Sequence, residues 1–392
     1  MKMIYLDNAA TTKPSEAAVA AAEKVMREDW GNPSSAHALG TAASRILESS
    51  RAAIISSLGI GAKNGRVIFT GSGTEANNTA IFGAVYSKKR PAGASGRGKI
   101  LTTDSEHPSV EQVMRRLEGD GFSVVRIPTR GGKIDMSVLE EEADSSVIFA
   151  SFMLANNETG ALYDVRRAAQ TVKAASPRAT VHTDAVQAYM KAETSPRKLG
   201  VDMISVSAHK IHGPKGVGAL WVSEEIIKSK NLIPYLAGGG QERGMRSGTE
   251  NLPGVAAFGA AAQEAQSEKE ERLAHVTKLY AQLERELAGR LPEVKLNRPE
   301  RSVGYVMSLT LPGIKSETML NFLSERGIYV SAGSACSAHS GKPSSVLQAF
   351  GLTEREADST VRVSFSAENS AEELHLFCDA LCDGVASLAR MR

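Results

Sequence analysis

Residues 202–216, DMISVSAHKIHGPKG, set one lysine at a place where α/β proteins do chemistry. The apolar run Met203, Ile204, Val206 predicts a buried strand. It gives way to Ser-Ala-His-Lys and then to a turn rich in Gly and Pro. Lys210 therefore stands at the carboxyl end of a core strand, the side of a sheet on which such proteins bind ligands. A lysine partly desolvated there loses its proton readily and forms a Schiff base with an aldehyde cofactor. A lone lysine is more often an exposed residue closing a strand, so the weight rests on its company.

Around that strand, short apolar runs recur: RVIFT (66–70), KILTT (99–103), SVVRIP (123–128), SVIFASFML (146–154), ATVHTDA (179–185), MISVSAH (203–209) and VGALWVS (217–223). Most are separated by helical stretches such as 75–85 and 109–117. The alternation predicts an α/β fold whose large domain, residues 15–257, holds a mostly parallel seven-stranded sheet flanked by helices. The last two runs are close enough for an antiparallel hairpin turning at 213–216. Residues 251–291 are rich in Ala, Glu, Leu and Lys with helical periodicity, predicting one or two long helices. An α+β pattern follows: strand 305–311, helix 316–326, strands 328–331 and 360–365, helix 371–389. Residues 1–14 and 258–392 form the expected smaller domain.

The length of 392 residues suits two or three domains at ~150 residues each. With 42% hydrophobic and 23% charged residues, a large soluble core is expected rather than disorder. A net charge of +2 leaves no electrostatic footprint for nucleic acid or an acidic membrane surface. The first residues lack the apolar stretch of a signal peptide, and no run approaches the ~20 apolar residues of a membrane span. Three cysteines argue against a disulfide framework and for a reducing, cytoplasmic setting.

Several polar motifs stand at the ends of successive strands. Gly71-Ser-Gly-Thr-Glu-Ala76 follows a strand and opens a helix, a turn that offers backbone N–H groups to phosphate. It also fits the dinucleotide pattern G-x-G-x-x-A, which keeps a nicotinamide-dependent oxidoreductase in view. The glycine-rich 93–100 fails as a P-loop, because Ile100 replaces the required hydroxyl residue. Asp184 ends another core strand, where a carboxylate needs a cationic partner such as a protonated ring nitrogen, or caps a helix. His107 is a helix-entry residue or an aromatic lid that moves protons. Asn156-Asn157 reads as a polar turn in isolation. Together these motifs describe one crevice. The loop 238–249 combines glycines with Arg243 and Arg246, a pairing suited to anions. Residues 90–98 read as a surface loop.

Residues 331–345, SAGSACSAHSGKPSS, contain no large apolar side chain, so Cys336 is expected on an exposed loop as a reactive thiol, with His339 and Lys342 near it in sequence. Cys378 and Cys382 share the apolar stripe of the last helix and are expected in the core; no metal is expected. Arg362 is a charge in a core-like strand: an edge-strand arginine, or a fork for a carboxylate.

The chain closely resembles cysteine desulfurases of the class-V aminotransferase superfamily, nearly end to end. The markers are YLDNAATT (5–12), GNPSSAH (31–37), GSGTEANN (71–78), SEHPSV (105–110), NNETG (156–160), HTDAVQ (182–187), SAHKIHGPKGVGAL (207–220), GGGQERGMRSGTEN (238–251) and SAGSAC (331–336). The resemblance implies the fold type I of pyridoxal 5′-phosphate enzymes, with that cofactor bound to Lys210. It implies Asp184 on the pyridinium nitrogen, Gln187 on the ring hydroxyl, Asn157 along the ring edge and His107 stacked on the ring. Gly73, Thr74, Ser207 and His209 would hold the phosphate, and Thr249 would reach the phosphate site of a second subunit, making a homodimer. Arg362 with Asn32 would bind the carboxylate of L-cysteine, and Cys336 would accept its sulfur and pass it to an acceptor protein for iron–sulfur assembly or transfer-RNA or cofactor thiolation. A selenocysteine lyase and a non-catalytic sulfur carrier using only Cys336 are the alternatives beside the oxidoreductase. Lys342 stands where many relatives carry an acidic residue.

Overall fold

The computed structural model describes residues 3–88, 98–333 and 344–388. Strand β1 (Ile4–Tyr5) opens the chain. Strands β2 (Gly65–Thr70), β3 (Lys99–Thr103), β4 (Ser123–Ile127), β5 (Val147–Ser151), β6 (Thr180–Asp184), β7 (Met203–Ser207) and β8 (Gly218–Ser223) make a seven-stranded sheet in the order β2-β8-β7-β6-β5-β3-β4. β8 runs antiparallel to β2 and β7, and the other pairings are parallel. These are the apolar runs read from the sequence, hairpin included.

The sheet is buried on both faces. In β7, Ile204 and Val206 pack on one side while Met203 packs on the other, each side chain contributing roughly 1.5–3 kcal/mol by leaving water. Helix Gly73–Ser87 is buried around much of its circumference, because strands take one side and helix Pro108–Gly119 the other. Ser72 caps its start, accepting from the Glu75 amide at 3.1 Å. Helix Pro108–Gly119 starts on the His107 ring and buries Val110, Val113, Met114 and Leu117.

The long helical stretch is two helices, Leu252–Ser267 and Lys269–Arg290, broken at Glu268. The expected domain boundary at residue 257 lies inside the first of these. That helix packs along Glu16–Arg27 and Ala38–Ser57, and its alanine-rich sequence offers no breaker at 257. A four-stranded sheet follows, made of β9 (Lys295–Leu296), β10 (Val306–Thr310), β12 (Ser331–Ala332) and β13 (Thr360–Ser364) in the order β12-β13-β10-β9. The expected strand 328–331 is two short pieces. β11 (Ile328–Tyr329) pairs with β1, whereas β12 pairs with β13, so the chain changes sheets at Val330. Cys378 is buried in helix Ala371–Ser387, as expected, and burial pushes its thiol up to about 12.

The N-terminal segment ties the four-stranded sheet to the seven-stranded one. The Ala9 amide donates to Ser364 Oγ at 2.8 Å, and the Thr12 amide donates to the His209 carbonyl at 2.9 Å. Residues 5–12 thereby run from β13 to the turn that carries Lys210.

Candidate active site

Beyond the carboxyl ends of β2, β3, β5, β6 and β7 lies a cavity of about 330 Å³. It is lined by Lys210, Asp184, His107, Asn157, Gln187, Ser207, His209, Gly73, Thr74 and Arg362 among others. Topology makes this meeting possible: parallel strands present all their carboxyl ends on one edge.

Lys210 ends the short turn Ala208–Lys210 that follows β7. Its Nζ donates to the carbonyls of Ala9 at 2.6 Å and Ala10 at 2.7 Å. Asp184 ends β6; its Oδ2 accepts from Asn77 Nδ2 at 2.7 Å and its Oδ1 from the Val186 amide at 2.9 Å. Asn77 Nδ2 also donates to Ser109 Oγ at 2.9 Å. The carboxylate is thus oriented by neutral donors, which leaves its charge available to a cation in the cavity.

His107 caps helix Pro108–Gly119, its Nδ1 accepting from the Ser109 amide at 3.1 Å. That contact places the neutral ring's proton on Nε2. Burial, reinforced by Lys210 and opposed by Asp184, holds the ring below the usual histidine range. Burial first, then Lys210, lowers His209 to about 4, so both rings are neutral at pH 7. Behind His107, Glu106 Oε1 accepts from Thr103 Oγ1 and the Met153 amide, both at 2.7 Å, bracing the ends of β3 and β5. Burial raises its carboxyl to about 8.

The structure fits a phosphorylated ring with a carbonyl carbon. Ser207 Oγ is buried beside the cavity with no hydrogen-bond partner among the described residues. The first amides of helix Gly73–Ser87 have no intrahelical acceptor and face an anion favourably. Gly73 is needed for close approach, since a Cβ there would lie 2.8 Å from Val186 Cγ2. Asp184 answers a ring cation and Lys210 an aldehyde. The Gln187 side chain is engaged on both atoms. Its Nε2 donates to the Ala9 carbonyl at 2.8 Å, and its Oε1 accepts from the Tyr305 hydroxyl; one amide proton remains for a ligand.

Arg362 lies in β13 between β12 and β10, not on an edge. It is 2% exposed. Its Nη1 donates to the Asn157 carbonyl at 2.9 Å, and its Nη2 to Asp7 Oδ1 at 2.8 Å and Ser331 Oγ at 3.0 Å. The Asp7 pair explains how a guanidinium is kept inside. Lysine has a single nitrogen and cannot reach all three acceptors. Arg362→Lys is therefore expected to cost about 1–3 kcal/mol of stability, read from the denaturant midpoint.

Two expected site residues do not line this cavity. Asn32 is exposed, its Oδ1 accepting from the Ser34 amide, and Thr249 is exposed as well. Arg246, read as an anion contact, pairs with Glu75 at 2.7 Å. Cys336, His339, Lys342 and residues 90–97 lie outside the described residues. The segment holding Cys336 is flanked by anchors to the site: Ser331 on Arg362, and Ser344 on Glu158 at 2.5 Å. Sequence reasoning missed Asn77, Ser109 and Tyr305. It also missed the role of Asp7, Ala9 and Ala10, although all three sit in the quoted motif at 5–12.

Comparison with known proteins bears on the family and the fold. The model of the family "Aminotransferase class-V" matches residues 4–377. The chain is 35% identical over 393 residues to a protein of Bacillus subtilis (strain 168) described as a putative cysteine desulfurase IscS 1, covering 99% of this chain and 100% of that one. It is 35% identical over 383 residues to a NifS/IcsS protein homolog of Lactobacillus delbrueckii subsp. bulgaricus, covering 96% of each. Among solved structures, a NifS-like protein superposes with a TM-score of 0.89 at 33% identity, covering 99% of this chain and 100% of the other. SspA in complex with cysteine superposes with a TM-score of 0.78 at 28% identity, covering 94% and 100%.

Proposed function

Since the chain belongs to the class-V aminotransferase family, we propose that it is a cysteine desulfurase, taking sulfur from L-cysteine to give L-alanine and a persulfide on Cys336. The observation that carries this is the convergence of Lys210, Asp184 and the start of helix Gly73–Ser87 on one cavity, with Arg362 on its wall. Bound there, pyridoxal 5′-phosphate supplies a sink for the electron pair left at the substrate's Cα.

This chain's residues do the rest. Lys210 Nζ would hold the cofactor's carbonyl carbon, and its free amine would take the Cα proton of the substrate. Asp184 keeps a proton on the ring nitrogen, with Asn77 and the Val186 amide fixing its carboxylate. Gly73, Thr74, Ser207 and His209 hold the phosphate, Gln187 donates to the ring hydroxyl and Asn157 borders the ring. Neutral His107 would lie against the ring and could move a proton through Nε2. Arg362 and Asn32 take the substrate carboxylate. The Cys336 thiolate bonds to the substrate sulfur as the carbon–sulfur bond breaks, and the carbon left behind is protonated to give L-alanine.

A homodimer fits the exposed apolar side chains Val19 and Met26, which line a groove with Pro14, Ala22 and Pro214. In that assembly Thr249 serves the partner's phosphate site. The persulfide passes to an acceptor protein, for iron–sulfur assembly or thiolation, in the cytoplasm. Among the described residues no helix is long and apolar enough to cross a membrane.

The test is direct. Purified protein loaded with pyridoxal 5′-phosphate is expected to be yellow, to bleach with borohydride at Lys210, and to form alanine and persulfide sulfur from L-cysteine in equal amounts. A colourless protein that binds a nicotinamide nucleotide, or one that accepts sulfur without making alanine, would refute it.

A further inference from the structure

Lys191 has no part in the chemistry above. The residue is half-buried, yet its Nζ is sealed from solvent and has no hydrogen-bond partner among the described residues. The nitrogen sits 4.1 Å from the centroid of the Tyr305 ring, whose hydroxyl holds Gln187. Behind Lys210 lies a second cavity, of about 60 Å³, lined by both lysines together with Thr12, His212, Arg272 and Tyr305. The charged groups facing it have uneven company. Arg272 pairs with Glu268 at 2.7 Å and approaches Glu264, and His212 Nδ1 lies 3.7 Å from Glu368. Lys210 rests on two carbonyls. Among the described residues Lys191 Nζ has no hydrogen-bonding carboxylate, only the face of an aromatic ring.

A buried amine without a partner is costly, and a methionine of similar length would fill the same space without that cost. Two amines opening on one small chamber also repel when both are charged. We propose that Lys191 is a positioning residue for Lys210: its buried amine opens on the same chamber and gains a proton when Lys210 gives up its charge, so that the charge of the chamber is held as that of Lys210 changes. The inference rests on the reading of Lys210 as the cofactor lysine. Burial first, and Lys210 second, pushes Lys191 down to about 7. Lys210 donates to two carbonyls. When Lys210 carries no charge its repulsion falls, and Lys191 takes a proton up.

The sign for stability follows. A lysine lowered in the folded state binds fewer protons there than in the unfolded chain between about 7 and its ordinary value near 10.5. Its penalty is whole below that window and relieved as pH rises through it.

Two measurements test the pair. In protein loaded with pyridoxal 5′-phosphate, the Schiff-base absorption is titrated for the native chain, Lys191→Met and Lys191→Arg. The arginine variant, permanently charged, is expected to titrate at least about one pH unit below the methionine variant, with the native chain at or between them. Coincident midpoints for the two variants would overturn the proposal, since a packing role predicts no such ordering. The second measurement needs no cofactor and stands even if Lys191→Arg fails to fold. Lys191→Met is expected to resist unfolding better than the native chain below the window, the ratio of unfolding constants shrinking about tenfold per pH unit through it. In a Lys210→Ala background the lower edge of the window moves up; an edge that stays put would equally overturn the pair. A native protein without the Schiff-base band would refute the cofactor reading, and the unfolding measurement would still decide the lysine pair.

Discussion

Lys210→Ala removes the Schiff-base band and lowers alanine formation from L-cysteine by at least about 10²–10⁴-fold, the range lost with a positioned proton-transfer group, with covalent capture of the cofactor lost as well. The fold is expected to survive. Lys210 is half-buried, and its two acceptors, the carbonyls of Ala9 and Ala10, lie in a segment also fixed by Ala9 to Ser364 and Thr12 to His209. Lys210→Arg separates holding from chemistry. A guanidinium keeps the charge and can donate to both carbonyls, but it does not form the imine or accept a proton at neutral pH. The arginine variant is expected to be as inactive as the alanine variant while melting close to the native chain. A small added amine is expected to restore part of the rate to Lys210→Ala and none to Lys210→Arg, whose side chain fills the space. An arginine variant that kept the absorption band would place the covalent link elsewhere.

Much of the fold was legible because it is local. Each apolar run of the large sheet carries its own burial signal, and the Gly/Pro turn after Lys210 marks the one hairpin in it. The site was legible in part for the same reason, since polar residues directly after buried strands have few structural duties there. What stayed hidden is pairing across long stretches of chain. Asn77 reaches Asp184 over 107 positions, Gln187 meets Tyr305 over 118, and Arg362 meets Asp7 over 355. Most of these residues lie in motifs quoted above, yet nothing in either neighbourhood says which distant residue each one meets. Arg362 reads as an edge-strand arginine until β12 is seen to pair on its outer side. Lys191 draws no reading from the sequence, because the Tyr305 ring that meets its nitrogen lies over a hundred positions away. The split of 328–331 into two strands is likewise set by partners, β1 and β13, that lie far off in sequence.

Cys336→Ser is expected to leave the cofactor band and L-cysteine binding intact and to cut alanine formation by about 10³-fold or more, the scale on which loss of a nucleophile acts. Serine is close to cysteine in size, so the change tests sulfur chemistry rather than packing. Its hydroxyl has no tendency to form a bond to sulfur at neutral pH, whereas a cysteine with a pKa near 8.5 is a few per cent thiolate and strongly nucleophilic. The described residues on either side of the segment that holds Cys336 are tied to the site. Ser331 Oγ accepts from the Arg362 guanidinium that lines the cavity. On the other side, Ser344 Oγ donates to Glu158, next to Asn157. A selenocysteine substrate sharpens the result. Selenium leaves carbon more easily than sulfur, so Cys336→Ser is expected to retain activity on selenocysteine while losing it on cysteine. Full activity of the variant on L-cysteine would rule out the persulfide route and favour a lyase that releases the element without a protein thiol.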